Sequence, residues 1–291
     1  MPKVPTDQIP VQQLMMPKYL ITTGKLLNRL SPFLAARFAA RLFITPYRYQ
    51  LPNREKRMFE SSVKEKILVE TIQQEIQVYH FGTSEKKVLL VHGWSGTGTQ
   101  LSGIANQLLK NDFSTISFDA PAHGKSPGKT SMMPYFIESI HELEKKYGPF
   151  EAAIGHSLGG MSLLRAIKEG LILNKLVIIG TANSITAIIR NFVENMGMGN
   201  KASKLMKAYF DNKFGENLDN YSGATSAKKV SVPTLVIHDK NDVDVHYSAA
   251  TEIVNELENG TLLVTEKLGH RKILGNPFVI EKIVDFIKNT N

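Results

Sequence analysis

A serine flanked by glycines is the residue of this chain most suited to catalysis. It lies in Gly155-His156-Ser157-Leu158-Gly159-Gly160, after a strand-like run at 151–155 and at the start of a helical pattern over 158–168. A serine at the tip of a sharp strand-to-helix turn has a strained backbone, and flanking glycines relieve the crowding. The next N–H, that of Leu158, begins a helix, where developing negative charge is stabilised. The spacing therefore predicts Ser157 as a nucleophile and the Leu158 amide as an oxyanion donor.

A second glycine-rich turn, Val91-His92-Gly93-Trp94-Ser95-Gly96, directly follows an earlier strand-like run at 87–91. A tetrahedral intermediate needs two amide donors that converge on one oxyanion. We expect the Trp94 N–H to be the second donor, beside that of Leu158. Taken alone, this segment is equally well explained as a simple strand-to-helix turn.

Two late loops offer the partners that a serine nucleophile needs. Asp239, Asp242 and Asp244 follow a strand-like run at 234–238, and any of the three is a candidate for the acid. His270 follows the last such run, at 261–265, and precedes a helical pattern. A histidine at this position is suited to act as general base, and an aspartate to orient it. The other histidines have weaker claims, and we expect His92 and His156 to make structural hydrogen bonds.

With these motifs in this order, the chain resembles the α/β-hydrolase superfamily over residues 63–291. The resemblance rests on the HGWSG turn, on Asp119-Ala-Pro-Ala-His-Gly-Lys-Ser126, on GHSLGG and on the paired acid and histidine loops. It implies Asp242 as the acid, because the family pattern H-G-x-x-D, set on His238, places glycine where this chain has Asp239. The family usually has glycine where this chain has Ala122. A serine nucleophile argues against the dehalogenase and epoxide-hydrolase branches, which use aspartate.

The resemblance and the alternation of strand and helix patterns predict an α/β-hydrolase fold, a mostly parallel central sheet flanked by helices. We expect an N-terminal helical arm over residues 1–62 and a catalytic domain over 63–291. Seven strands are predicted, the first of them antiparallel at the sheet edge: 71–80, 87–91, 114–118, 151–155, 175–179, 234–238 and 261–265. The helices between them are expected near 100–110, 134–147, 158–168, 247–257 and 277–289.

Residues 183–229 interrupt this alternation with two helical patterns, near 184–194 and 201–210. In this fold an insertion here forms a cap over the nucleophile, and this one predicts a short helical cap. Large apolar side chains in the cap, together with Trp94, are candidates for a substrate pocket: Phe192, Met196, Met206 and Phe210. The alternative is that the cap residues only pack the cap onto the core.

The net charge of +8 is confined to the start of the chain. Residues 1–64 hold eleven Lys and Arg against three acids, so the remainder is neutral. Because the charge is not spread over the protein, we expect no nucleic-acid partner. The arm predicts two helices, near 19–30 and 33–44, with Ser31-Pro32 as a start signal for the second. Basic apolar helices predict either peripheral membrane contact through residues 17–44 or packing against the rest of the protein or a second subunit.

Composition narrows the remaining classes. The chain has no cysteine, which excludes disulfides, thiolate metal sites and a cysteine nucleophile. No stretch is long and apolar enough for a membrane-spanning helix, and the first residues lack the apolar core of a secretory signal. We therefore expect a cytoplasmic protein, with a peripheral position at the membrane surface as the alternative.

These observations predict a serine hydrolase of the esterase, thioesterase or lipase-like kind, a carboxylic ester hydrolase that acts on a small-molecule ester or acyl substrate. The reaction would use Ser157, His270 and Asp242 and would need neither a metal nor an organic cofactor. One alternative is the same triad acting on amide or carbon–carbon bonds, or in acyl transfer. Another is a ligand-binding protein that keeps the fold without catalysis.

Overall fold

The computed structural model describes residues 16–289 as a central sheet of eight strands flanked by helices. The first 15 residues of the predicted arm lie outside the described residues. The strands are β1 (Val63–Val69), β2 (Gln74–Phe81), β3 (Lys87–Val91), β4 (Ser114–Asp119), β5 (Phe150–His156), β6 (Leu173–Ile179), β7 (Thr234–Asp239) and β8 (Gly260–Thr265).

The strand order across the sheet is β1-β2-β4-β3-β5-β6-β7-β8. The pairs β1–β2 and β2–β4 are antiparallel, whereas all pairs from β4 to β8 are parallel. Strand β5 therefore lies in the middle of the sheet, between β3 and β6. In a parallel sheet the carboxyl ends of neighbouring strands share one edge, and loops from that edge converge on a site.

The helices precede the strands in the chain, connect them or follow the last of them. They are α1 (Lys18–Leu30), α2 (Pro32–Phe43), α3 (Asn53–Ser61), α4 (Ser102–Lys110), α5 (Met133–Tyr147), α6 (Leu158–Lys168), α7 (Ile185–Asn195), α8 (Asn200–Phe214), α9 (Gly223–Ala227), α10 (Ser248–Glu256), α11 (Gly269–Lys272) and α12 (Pro277–Lys288). Short 3₁₀ turns lie at Glu70–Ile72, Leu218–Tyr221 and Ile273–Gly275. Among residues 16–289, no helix has the length and apolar character needed to cross a membrane.

Two hydrophobic cores cover the two faces of the sheet. One core joins side chains of α5, α6 and α10 with the helices of the predicted arm and cap, and the other joins α4 and α12 with the opposite face. Strands buried on both faces read as nearly continuous apolar runs, as KVLLV does in β3. This explains why the inner strands could be recognised from the sequence.

The antiparallel edge differs from the prediction. The strand predicted at 71–80 is β2, and it is antiparallel, but it is not at the edge because β1 lies outside it. In β1 only Ile67 and Val69 are buried, and the exposed remainder includes Lys64 and Val63. A strand with one small apolar face gives a weak sequence signal, and edge strands commonly carry charged residues that discourage further pairing.

The helix pair α1 and α2 packs on the inserted helices. Ser31 starts α2 as predicted, with its hydroxyl accepting from the Leu34 N–H and with Pro32 as the first helical residue. The side of α2 that faces α8 is built from small residues that are at most 2% exposed: Ala35, Ala36, Ala39 and Ala40. Small side chains permit close approach of two helices, so the N-terminal helices share one core with α7 and α8, the helices of the predicted cap.

Candidate functional site

Ser157 lies on the sharp turn between β5 and α6. Its backbone has φ 53° and ψ −117°, a combination that non-glycine residues rarely adopt. The Ser157 N–H donates to the Ile179 carbonyl at 2.8 Å, which ties the turn to the end of β6. A backbone this strained persists only where its surroundings impose it, and such positions cluster at functional sites.

The glycines around Ser157 are required because the turn is crowded. A Cβ on Gly155 would lie 2.6 Å from the Gly160 nitrogen. A Cβ on Gly159 would lie 2.6 Å from the His92 carbonyl oxygen and would also overlap the Val91 carbonyl. The G-x-S-x-G spacing is therefore a packing requirement between β5, α6 and the end of β3.

His270 and Asp242 meet beside this turn. The His270 Nδ1 lies 2.7 Å from the Asp242 Oδ2, and the two side chains are 9% and 1% exposed. The other carboxylate oxygen of Asp242 accepts from the N–H groups of Asp244 and Val245, each at 2.9 Å. The loop after β7 thus fixes the carboxylate, and the carboxylate orients the imidazole.

The pKa values of this pair move in the directions that a catalytic base and its partner require. Burial lowers the pKa of His270, but the hydrogen bond and charge of Asp242 outweigh it, so the pKa of His270 is raised. Burial raises the pKa of Asp242, but the hydrogen bond and charge of His270 and the Val245 N–H lower it overall. The pair is therefore poised to stabilise an imidazolium next to an ionised carboxylate.

The other two aspartates of this loop have different surroundings. Asp239 accepts from the Thr265 hydroxyl at 2.7 Å and from the Leu268 N–H at 3.0 Å, so it links the loops after β7 and β8. The Asp244 carboxylate lies within 4.8 Å of the ligand atoms of Asp242 and His270. Asp242 is the aspartate that hydrogen-bonds the imidazole.

His270 lies against His156, the residue that precedes Ser157. The ring centroids of His156 and His270 are 4.6 Å apart, and the His156 Nε2 lies 3.0 Å from the His270 carbonyl oxygen. Within residues 16–289, no hydrogen bond joins the Ser157 hydroxyl to the imidazole. Catalytic hydrogen bonds are often long before substrate binds and shorten in the complex.

Two backbone amides next to Ser157 are available to an oxyanion. Among the described residues, neither the Trp94 N–H nor the Leu158 N–H donates to a protein acceptor. Gly93, which precedes Trp94, approaches the turn closely, because a Cβ on it would lie 3.1 Å from the Ser157 Cβ. Leu158 begins α6, where N–H groups have no acceptor within the helix.

The loop that carries Trp94 is held by three side chains whose roles were not predicted from the sequence. The buried Glu55 carboxylate accepts from the hydroxyls of Thr97 and Thr99, at 2.7 and 2.9 Å. Asp119 accepts from the Gly98 N–H at 2.6 Å, and Gln100 accepts from the Gly93 N–H at 2.9 Å. Asp119 stood in a recognised motif, but no local signal connects Glu55 with a loop some forty residues away.

The neighbouring histidines are structural, as predicted for His92 and His156. His92 lies 2.7 Å from the Gly93 carbonyl through Nδ1 and accepts from the Ala120 N–H through Nε2. Burial lowers the pKa of His92 to about 4 and that of His156 to about 3. Burial also lowers the pKa of His123 and of His238. His270 is distinguished from these four by its raised pKa.

Ala122 occupies a position where its backbone favours glycine. Its φ is 65°, in the left-handed region, and its side chain is 2% exposed. Alanine, which stands here in place of the glycine usual in the family, therefore has a strained backbone. The Ala122 carbonyl accepts from the Arg48 Nε at 2.8 Å, so the loop is held by the segment after α2.

The predicted pocket side chains of the cap are packed against the N-terminal helices. The Phe43 ring lies 5.1 Å from the Phe192 ring and 6.0 Å from the Phe210 ring, centroid to centroid. These cap residues are at most 4% exposed: Phe192, Met196, Met206 and Phe210. Trp94, in contrast, is half-buried, and its ring stands edge-on to His123 at 5.1 Å. Contact of a substrate with Trp94 and with these four cap residues stays a prediction.

A cavity of about 650 Å³ lies between α2 and the loop after β4. Its lining includes Arg41, Leu42, Arg48, Ala122 and Lys129, and no residue of the predicted triad. It is therefore separate from the site built around Ser157.

Two family models match parts of the chain. A family model described as the α/β hydrolase fold matches residues 86–181, and one described as TAP-like protein matches residues 216–291. The first match contains Trp94, Ser157 and Leu158, and the second contains Asp242 and His270. A comparison with curated proteins gives no match.

Solved structures with a similar fold include several esterases and lipases. An esterase from Pyrococcus furiosus has a TM-score of 0.65 at 18% identity, over 84% of this chain and 97% of its own. An esterase from Exiguobacterium antarcticum has a TM-score of 0.61 at 18% identity, over 78% of this chain and 100% of its own. A monoacylglycerol lipase from Paleococcus ferrophilus has a TM-score of 0.58 at 20% identity, over 73% and 98%. At these identities the likeness shows the fold.

Proposed function

The chain belongs to the α/β-hydrolase superfamily, and from that premise we propose that it is a serine hydrolase of carboxylic esters, with Ser157 as nucleophile. The observation that carries the proposal is the buried 2.7 Å contact between His270 and Asp242 beside the strained Ser157 turn. A base oriented by a carboxylate and placed next to a nucleophile is the arrangement that acyl transfer requires.

In the first half of the proposed reaction, the Ser157 hydroxyl oxygen attacks the ester carbonyl carbon. His270 takes the hydroxyl proton on Nε2, because its Nδ1 faces Asp242. The carbonyl electron pair moves onto oxygen, and the amides of Trp94 and Leu158 hold the resulting oxyanion. When the intermediate collapses, the carbon–oxygen bond to the leaving group breaks and His270 returns the proton to the departing alcohol.

In the second half, water attacks the acyl group on Ser157 and His270 takes the proton from the water. Collapse of this second intermediate breaks the bond to Ser157, which recovers its proton from His270, and releases the carboxylic acid. Asp242 stabilises the imidazolium in both halves without taking a proton. None of these steps requires a metal or an organic cofactor.

The structural neighbours support an ester as the substrate class, because their names describe esterases and a monoacylglycerol lipase. We propose a small-molecule ester or thioester for this chain. Peripheral membrane contact through residues 17–44 and a cytoplasmic location also stand as proposals, made from the sequence.

The test is hydrolysis of p-nitrophenyl esters of increasing acyl length by the wild type and by matched variants. We expect Ser157→Ala and His270→Gln to lose at least about 10³-fold in kcat. Ser248→Ala and His246→Gln, at exposed positions, should retain wild-type turnover. Turnover that survives in Ser157→Ala would overturn the proposal, and wild-type turnover of amides but not esters would assign the triad to a different bond.

A further inference from the structure

One side of the N-terminal helix pair carries large apolar side chains that the rest of the described structure leaves exposed. On α1, Tyr19, Leu26 and Leu30 follow one helix face and are 68%, 56% and 73% exposed. On α2, across the single residue that separates the helices, Phe33 and Leu34 are 60% and 51% exposed. These five residues form what is called here the outer face. Contiguous exposed apolar side chains of this size mark an interaction site.

The outer face is not the side by which these helices pack on the protein, because that side is already used. The buried alanines of α2 face α8. On α1, Gly24 is buried, and a Cβ on it would lie 3.0 Å from the Met198 Cε. An amphipathic helix that only packs on its own domain would present polar residues on the opposite side. Here the opposite side of α1 carries Tyr19, Leu26 and Leu30.

Basic residues run alongside the outer face. On α1, Lys18, Lys25 and Arg29 each come one position before an exposed apolar residue, so a cationic row borders the apolar row. On α2, Arg41 is exposed, and Arg37 is exposed but its guanidinium lies 3.9 Å from the centroid of the Tyr209 ring of α8. Residues 16–54 contain no Asp or Glu. Within the described part of the chain, none of these five cations forms an ion pair.

We propose that the outer face docks on the surface of an anionic lipid bilayer. In this arrangement Leu26, Leu30 and Phe33 enter the boundary between headgroups and acyl chains, while Lys25 and Arg29 meet lipid phosphates. A second copy of the chain fits less well, because a two-fold contact through this face would set its cations against those of the copy. An anionic surface neutralises the same charges.

Helix α2 links the outer face, at its first turn, to the candidate site, near its last residue. Helix α2 contacts the cap through Phe43, and the Tyr47 N–H, in the segment after α2, donates to the Ser95 hydroxyl oxygen at 2.9 Å. Ser95 directly follows Trp94 in the proposed oxyanion loop. A lipid-derived ester is therefore the substrate that this placement favours. That consequence rests on the proposed function, whereas the docking itself does not.

The experiment is co-sedimentation of the full-length protein with vesicles of phosphatidylcholine alone and of phosphatidylcholine with phosphatidylglycerol. We expect binding to the anionic vesicles that weakens as salt is added. Lys25→Gln with Arg29→Gln should weaken it about 30-fold, whereas Lys110→Gln with Lys145→Gln, elsewhere on the surface, should not. Leu30→Ser with Phe33→Ser should weaken it at least about tenfold. Ile172→Ser, at a position 74% exposed, is the matched apolar control.

Each outcome decides the proposal. It is overturned if the wild type does not bind anionic vesicles, or if the outer-face variants bind as well as their controls. A concentration-dependent dimer that disappears in Leu30→Ser with Phe33→Ser would assign the face to a second copy and would also overturn it. Turnover of a short water-soluble ester, measured in parallel, tests whether each variant is folded. Vesicle binding without any turnover would contradict the proposed function and leave the docking intact.

Discussion

Glu55 is expected to control the loop that carries the proposed oxyanion donor. Its carboxylate is 1% exposed, and one of its oxygens accepts from both Thr97 and Thr99, which flank Gly98 in the loop after β3. On the other side, Asp119 accepts from the Gly98 N–H. Two buried carboxylates thus hold three consecutive loop residues, and Glu55 is the one contributed by the N-terminal part of the chain.

The size of the effect follows from these bonds. A hydrogen bond to a charged group contributes about 1.5–3 kcal/mol to stability. Glu55→Ala removes two of them and leaves the Thr97 and Thr99 hydroxyls, which lie 3.2 Å apart, to pair with each other, so the free energy of unfolding should fall by about 3–5 kcal/mol. Glu55→Gln keeps an oxygen that can accept from both hydroxyls and should lose about 1–2 kcal/mol. Because the loop positions the Trp94 N–H, we expect Glu55→Gln also to lower kcat about tenfold.

The assay is urea unfolding followed by circular dichroism and by the fluorescence of Trp94, which is the single tryptophan and lies in this loop. The matched control is Arg54→Ala. The Arg54 side chain is 69% exposed and lies 3.5 Å from the Glu55 carboxylate, so its loss should change stability by less than about 0.5 kcal/mol. If the free energy of unfolding of Glu55→Ala lies within about 0.5 kcal/mol of the wild-type value, the carboxylate does not hold the loop and this reasoning is wrong.

Three further predictions concern the pair at the site, the turn and the helix packing. The kcat/KM of the wild type should rise with pH through a midpoint above 6.5, because the neutral form of His270 is the base and the pKa of His270 is raised. In Asp242→Asn the titration of the His270 imidazole, followed by NMR, should have its midpoint below 6.5. The same midpoint in the variant as in the wild type would contradict this prediction. Gly159→Ala should cost at least about 3 kcal/mol of stability or prevent folding, whereas Gly275→Ala, where a Cβ meets nothing within 4 Å, should be nearly neutral in the same denaturation experiment. Ala39 is 0% exposed, and Ala39→Leu should lower the free energy of unfolding by about 1–3 kcal/mol. An unchanged midpoint of denaturation would show that α2 and α8 are not tightly packed.

The sheet was largely predictable because its inner strands are buried on both faces. The runs VLLV in β3 and LVII in β6 are apolar, and each strand is followed by a helix pattern. Strand β1 was not predicted, because most of it is exposed and its sequence lacks a buried run. Helix α3 was also missed, since only Glu55 and Met58 of it are buried. Elements with a narrow buried face give little periodic signal.

The candidate site was predictable where chemistry and local geometry coincide. The turn at Ser157 requires glycines that appear in the sequence, and His270 follows the last strand. The residues alone left open the choice among three aspartates, which depends on the carboxylate that reaches the imidazole in space, and only the family resemblance indicated Asp242. The role of Glu55 was hidden for the same reason. The packing of the N-terminal helices on the cap was one of several readings, and only the tertiary contacts distinguish them.

The most direct test of the central claim is to react the folded protein with a fluorophosphonate and to locate the adduct by peptide mass spectrometry. We expect a single adduct on the peptide that contains Ser157, absent in Ser157→Ala and formed far more slowly in His270→Gln. An adduct on another residue would contradict the assignment of the nucleophile. A folded wild type that forms no adduct would show that these residues do not act as a catalytic triad.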